Sequence, residues 1–133
     1  MRHFGIRYGY YDPKNDAQCR YIDPIIETFG DQISAMAKLM FVSPETDKAP
    51  LIVDYVEFVK KYNGLMEKNL EHHGGKFAAG DKVTIADFVM ASYIGNYLTN
   101  PAFPASSQAM AILAETPKFQ TYTETVKSEF TYL

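Results

Sequence analysis

KFAAGDKVTIADFVMASYIGNYL, residues 76–98, opens as a loop of small residues and becomes a continuous apolar segment with one acid, Asp87, just inside it. Thr84 falls where a helix N-cap is wanted, and Asp87, three residues on, falls at N3. This is a capping box. The threonine hydroxyl accepts from the N3 amide, and the carboxylate reaches back to the N-cap amide and favours the positive end of the helix dipole. Aspartate is shorter than the usual glutamate but serves the same purpose. Val83 and Phe88 occupy the two hydrophobic-staple positions around the cap. A general acid or base would want a His, Cys or second acid beside it, and none adjoins Asp87. Asp87 is therefore read as the residue that holds a helix start.

The rest of the chain is patterned for helices. From Cys19 to Met40 the apolar positions Ile22, Ile25, Ile26, Phe29, Ile33, Met36, Ala37 and Met40 follow the three-and-four spacing of one buried face. SPETDKAP, residues 43–50, breaks it with two prolines and charge. A second face runs from Leu51 to Leu70 through Ile52, Tyr55, Val56, Val59, Tyr62 and Met66, and HHGG ends it, with Gly74 suited to a left-handed closing turn. TNPAFPASS ends the helix opened at Thr84. A short helix is expected over Ala109–Ala114, and a last one from Pro117, a residue fitted to a first helical turn. No stretch alternates apolar and polar residues for long enough to make a sheet. The class is all-α, and the chain reads as one domain over residues 1–133.

Composition narrows the function classes. The chain has 133 residues, 47% hydrophobic, with ten Tyr, nine Phe and no Trp. Thirteen basic residues stand against 16 acidic ones, net −3, without a basic run, which argues against nucleic acid or an anionic membrane as the main partner. No apolar run approaches the roughly 18 residues that a membrane span requires. The lone Cys19 cannot form an internal disulfide, which points to the cytoplasm or another reducing compartment. The acid-free start MRHFGIRYGYY leaves a mitochondrial address open, although it lacks serine and runs straight into patterned sequence.

AGDKVTIADFVMASYI resembles the capping-box segment in the C-terminal helical domain of glutathione transferases, where a Gly-Asp turn leads into Ser/Thr-x-Ala-Asp. RHFGIRYGYYDP is similar to the end of that family's third helix. AQCRYIDPIIETFGDQI is similar to the fourth helix of its sigma-class members, and TPKFQTYTETVKSEFTYL to its closing Pro-x-hydrophobic-x-x-Tyr helix. The resemblance implies a helical bundle. It also implies a missing part, since complete enzymes of the family begin with a thioredoxin-like domain that supplies the thiol-activating Tyr, Ser or Cys and most of the glutathione contacts. Met1 stands where that domain has just ended. Without it a thiol has nothing to lower its pKa and no site to sit in. Tyr8, Tyr10 and Tyr11 match helix and loop positions rather than the family's first strand, so no catalytic residue is assigned.

Other candidates divide between structure and chemistry. His72 and His73 lack a Cys, third His or acid at ligand spacing and suit the last turn of a helix, so no metal site is expected. GKFAAGDK, from Gly75, imitates a phosphate loop until Asp81 falls where Lys is required and Val83 where Ser or Thr is. Asp23, Glu27 and Asp31 form an i, i+4, i+8 carboxylate stripe that reads first as a solvated face. By the resemblance, Asp31 matches an acid that helps to hold glutathione in the neighbouring subunit, with Gly30 replacing an adjacent acid there. Ile33, Met36 and Met40 are core residues by spacing and, by the resemblance, line the hydrophobic-substrate side of an intact enzyme.

Three functions are compatible with these features. The leading one is a non-catalytic helical domain that serves as an interaction or structural subunit, with a protein partner or second copy covering Phe4, Ile6, Tyr8, Tyr10 and Tyr11. No cofactor is expected, and glutathione enters only if a thioredoxin-like domain is present. The second is the C-terminal part of a sigma-like glutathione transferase that conjugates glutathione to hydrophobic electrophiles. The third is an apolar small-molecule carrier.

Overall fold

A computed structural model describes residues 1–41 and 47–130. Six α-helices follow one another: α1 Arg2–Tyr8, α2 Asp16–Phe41, α3 Ala49–His73, α4 Ile85–Tyr93, α5 Ser106–Leu113 and α6 Pro117–Glu129. A π-helical turn, Ile94–Leu98, extends α4 and is closed by the Thr99 amide and hydroxyl, both donated to the Ile94 carbonyl at 2.9 Å. The described residues contain no β-strand, only an isolated pairing of Phe77 with Gly80 in the loop before α4. The fold is all-α. No described helix is long and apolar enough to cross a membrane.

The two long helices exceed the bounds expected of them at both ends. α2 starts at Asp16 and carries Pro24 within it. Arg20 and Pro24 both lie on the exposed side, so the helical bond that proline cannot make is lost where water can replace it. α3 takes Pro50 into its first turn and closes on Gly74, whose φ of 64° is the expected left-handed cap; the Gly74 amide bonds the Leu70 carbonyl at 3.0 Å. Residues 43–46 of the expected break lie outside the described residues, as do the last three of the chain, whereas Asp47 and Lys48 are non-helical. α5 begins at Ser106 rather than Ala109, because Phe103 and Ser106 close successive turns that lead into it.

α3 packs against α2, α5 and α6, and α4 fits against α2 and α6. One core runs through these contacts, including Ile22, Ile25 and Leu39 of α2, Tyr55, Val59, Tyr62 and Met66 of α3, Met90 and Tyr93 of α4, and Phe119, Tyr122 and Val126 of α6. Each large apolar side chain so buried contributes about 1.5–3 kcal/mol. The inward line of α2 is Ile22, Ile25, Gln32, Met36 and Leu39. Ile33 and Met40, expected on the buried face, are about half exposed instead, because Gln32 and Leu39, one position earlier in each case, take the inward places.

α1 is the least buried element: only Gly5 of its seven residues is buried. Its hold depends on the turn after it. The Tyr10 carbonyl accepts from the Ile85 amide at 3.1 Å, and Gly5 lies so close to α4 that a Cβ there would meet Ile85 Cγ2 at 2.5 Å and Tyr11 Cβ at 2.9 Å. Gly5→Ala is accordingly expected to lower stability by about 1–3 kcal/mol through overpacking. Helix propensity alone would raise it by roughly 1 kcal/mol. Urea unfolding decides the sign, and an unchanged or higher midpoint would mean that α1 is not seated on α4.

Candidate functional site

The Asp87 side chain is fully buried, and both carboxylate oxygens are used twice. Oδ2 accepts from the Thr84 amide at 2.8 Å and from the Thr84 hydroxyl at 2.9 Å. Oδ1 accepts from the Ala78 amide at 2.8 Å and from the Tyr122 hydroxyl at 2.9 Å. The reciprocal capping box is present as expected: the Thr84 side chain takes the Asp87 amide, and the Asp87 side chain takes the Thr84 amide. The Thr84 hydroxyl also gives its proton to the carboxylate, and the Asp87 amide also bonds the Thr84 carbonyl at 3.1 Å. Phe88 is 40% exposed, and its ring stands edge-on to Tyr10 at 5.2 Å and to Phe130 at 5.4 Å.

A general base needs a lone pair that a substrate proton can reach. A carboxylate with four donors seated and no exposure offers none. The Ala78 and Tyr122 bonds were not anticipated, although Tyr122 is the tyrosine of the Pro117-x-Phe119-x-x-Tyr122 pattern in the last helix. Burial, with the Asp87 charge next to it, pushes the Tyr122 phenol well above its ordinary range.

A second cluster joins α1 to α2. Arg2 donates to Asp23 Oδ1 at 3.0 and 3.1 Å and to Glu27 Oε1 at 2.6 Å, and the Tyr11 hydroxyl donates to Asp23 at 3.0 Å. Two members of the carboxylate stripe are thus engaged by one guanidinium, which spacing along α2 alone could not show. Ion pairs this exposed contribute only about 0–1 kcal/mol each. Tyr11, expected on the interface surface, is buried, because its ring packs into the core and its hydroxyl turns to Asp23. Its phenol is pushed up to about 12, first by the Cys19 thiol, then by burial and by Asp23. Phe4, Ile6, Tyr8 and Tyr10 are exposed, at 62, 52, 61 and 40%.

The remaining candidates are dispersed. Asp31 is exposed and lines an open pocket of about 160 Å³ with Ser34, Lys38, Leu51 and Asp54. Ile33 and Met40 point outward while Met36 is buried, so the three do not form one substrate-facing side. His73 is built into the loop before α4: its Nδ1 accepts from the Gly75 amide at 2.9 Å and its Nε2 faces the Ala78 carbonyl at 3.2 Å. His72 is exposed. The described residues hold no group of three or more His, Cys, Asp or Glu placed for a metal ion.

These features define a helical domain organised around a buried, N-capping aspartate. A family model described as the glutathione S-transferase C-terminal domain matches residues 30–130, and the chain belongs to that family. The match starts within α2, beyond Arg2, Tyr11, Asp23 and Glu27. No curated protein sequence matches the chain.

Thr84→Ala is expected to cost about 1 kcal/mol, as for other lost N-caps. Asp87→Ala should cost at least about 3 kcal/mol, because it strands the Ala78 and Thr84 amides and the Tyr122 hydroxyl at roughly 1–3 kcal/mol each. Denaturant unfolding of both variants and the double variant should show a double loss smaller than the sum. Losses that add within about 0.5 kcal/mol would mean that the two side chains act independently.

Proposed function

We propose that this glutathione transferase-type helical domain works as an interaction or structural subunit, docking another protein, or a second copy, over its N-terminal aromatic face. The observation that carries the reading is the exposure of Phe4, Ile6, Tyr8 and Tyr10 on and just after α1, continued by Phe88, whose ring meets Tyr10 on one side and the partly buried Phe130 on the other. Apolar side chains gathered in this way mark contact surfaces. The chemistry of the interior supports a non-catalytic role. A tyrosine that activates a thiol needs a lowered pKa, whereas Tyr11, Tyr55, Tyr62, Tyr93 and Tyr122 are all pushed upward, the last four chiefly by burial. The unpaired Cys19 thiol fits a reducing compartment.

Membership of the family leaves room for a second reading, in which the chain supplies the helical part of a glutathione transferase, of sigma-like type by the resemblance of its α2 segment. Asp31 is then the residue that faces glutathione, and Ile33 and Met40 face a hydrophobic electrophile. The residues at hand fit glutathione poorly on their own, because the charged groups at the Asp31 pocket, Asp31, Lys38 and Asp54, are all solvent-exposed. Apolar carriage has less support, since the pocket lined by Ala37, Phe41 and Leu51 is also open to solvent.

Light scattering on the purified chain at micromolar concentration should show self-association, or binding of a dye that reports exposed apolar surface. Phe4→Ser with Tyr8→Ser should reduce either signal while helicity is kept. A dye-silent monomer would overturn the docking role. Glutathione conjugation to a reactive aromatic halide, above the uncatalysed rate and lost on changing one of the chain's own tyrosines, would overturn the non-catalytic one.

A further inference from the structure

One imidazole holds the loop between α3 and α4 to the end of α3. His73 Nδ1 accepts from the Gly75 amide at 2.9 Å, and its Nε2 stands 3.2 Å from the Ala78 carbonyl oxygen. An amide N–H can only donate and a carbonyl can only accept, so these two neighbours fix the ring's proton. Nδ1 is bare and Nε2 carries the hydrogen. The bonded ring is therefore neutral and in a single tautomer.

A second proton has to go to Nδ1, where the Gly75 N–H already points. Two N–H groups cannot bond each other, so the Gly75 bond is lost. The loop has little room to turn that amide aside. A Cβ on Gly75 would run into the Gly80 backbone, and Gly80 is locked in turn by reciprocal bonds with Phe77 at 2.7 and 3.2 Å. The ring is only half-buried and is the part that can move. Moving it breaks the Ala78 bond as well. One proton undoes two bonds.

The surroundings do not hold a charged ring in place. Among the described residues no carboxylate forms an ion pair with His73. α2 presents the Tyr21 ring, edge-on at 5.0 Å, and the flanking Glu71 and His72 of α3 are exposed. Lys76 adds a second positive charge to the loop, with its Nζ turned to Glu129 of α6 at 2.6 Å. Asp87 of α4 takes the Ala78 amide rather than the ring. The carbonyl end of α3 favours positive charge, but it does so wherever the ring sits on that last turn.

We propose that His73 is a proton-operated latch on the α3–α4 loop. The neutral ring clasps the Gly75 amide and the Ala78 carbonyl, and the charged ring releases both. The latch thus holds above the ring's titration and opens as pH falls through it. The Ala78 amide stays on Asp87, which limits the release to the first part of the loop and spares the cap of α4. Gly74, Gly75 and Lys76 also line a cleft of about 330 Å³ with Lys118 and Thr125 of α6, so opening the latch alters one wall of that cleft.

Nuclear magnetic resonance on the full chain tests the latch, with a titration from about pH 8 to about pH 5, the range in which histidine changes charge. At the high end the ring nitrogens of His73 should show an unprotonated Nδ1 and a protonated Nε2. As the ring takes up its proton, the Gly75 amide proton should move upfield and its exchange protection should fall, while the Ala78 amide keeps its protection. His73→Asn places an accepting oxygen near the Nδ1 position and does not titrate, so it should keep the Gly75 amide bonded at both ends of the range. His72→Asn should leave the Gly75 response as it is in the wild type. A wild-type ring with its proton on Nδ1 at high pH would overturn the latch. So would a Gly75 amide whose shift and protection ignore the protonation of His73. Both are read from the unaltered chain, and should His73→Asn not fold they decide the matter alone.

Discussion

Four hydrogen bonds converge on the buried carboxylate of Asp87, and they come from three parts of the chain: the loop before α4, the cap of α4 itself, and α6. A charge in an apolar interior is tolerated only when its lone pairs are matched, and here each is. The consequence is geometric. The Ala78 bond draws the loop from Gly74 onward down onto the start of α4, where His73 also grips it through Gly75 and Ala78. The Tyr122 bond sets α6 against the same point, while Glu67 of α3 caps α6 through the Lys118 and Phe119 amides at 3.0 and 2.8 Å. α1 then leans on Ile85, the first residue of α4. Moving the cap would disturb every one of these seats.

How much of this could be read from the chain depended on the range of each interaction. Thr84 and Asp87 are three residues apart, so their pairing is a local matter, and so is the left-handed Gly74 that stops α3. The all-α class followed from apolar spacing summed over long segments. Individual positions were less secure. Gln32 takes an inward place on α2 that apolar spacing reserves for a hydrophobic residue, and Ile33 beside it faces out although its spacing marks it as core. Tyr11 reads in sequence like its exposed aromatic neighbours, but its hydroxyl finds Asp23 and its ring finds the core. Arg2 reaches carboxylates 21 and 25 residues away, and Asp87 reaches Tyr122 at a separation of 35. Such pairs depend on how helices cross, which no periodicity encodes.

The division of labour that emerges is between a rigid interior and a sparsely held edge. The interior commits its ionisable groups to structure: Asp87 is saturated and the buried tyrosines are held neutral. The edge consists of α1, with exposed aromatic side chains and ion pairs worth little in water. A domain built in this way is suited to presenting a surface, and the proposed docking role places the partner on that edge, away from the Asp87 tie. The open pocket beside Asp31 lies farther along α2 and offers chemistry only through exposed groups.

The central claim is that one carboxylate fastens the loop, the cap and the last helix into a single unit. Native-state hydrogen exchange of the Ala78 amide tests it most directly, since Ala78 lies in a loop and its amide has Asp87 Oδ1 for a partner. Loop amides ordinarily exchange through small local openings, whereas amides of a cooperative unit exchange only when that unit unfolds. The Ala78 and Thr84 amides should open with the same free energy as Met90 and Tyr93 in the body of α4. An Ala78 amide that exchanges as fast as an exposed loop position such as Lys82, while α4 stays protected, would contradict the account.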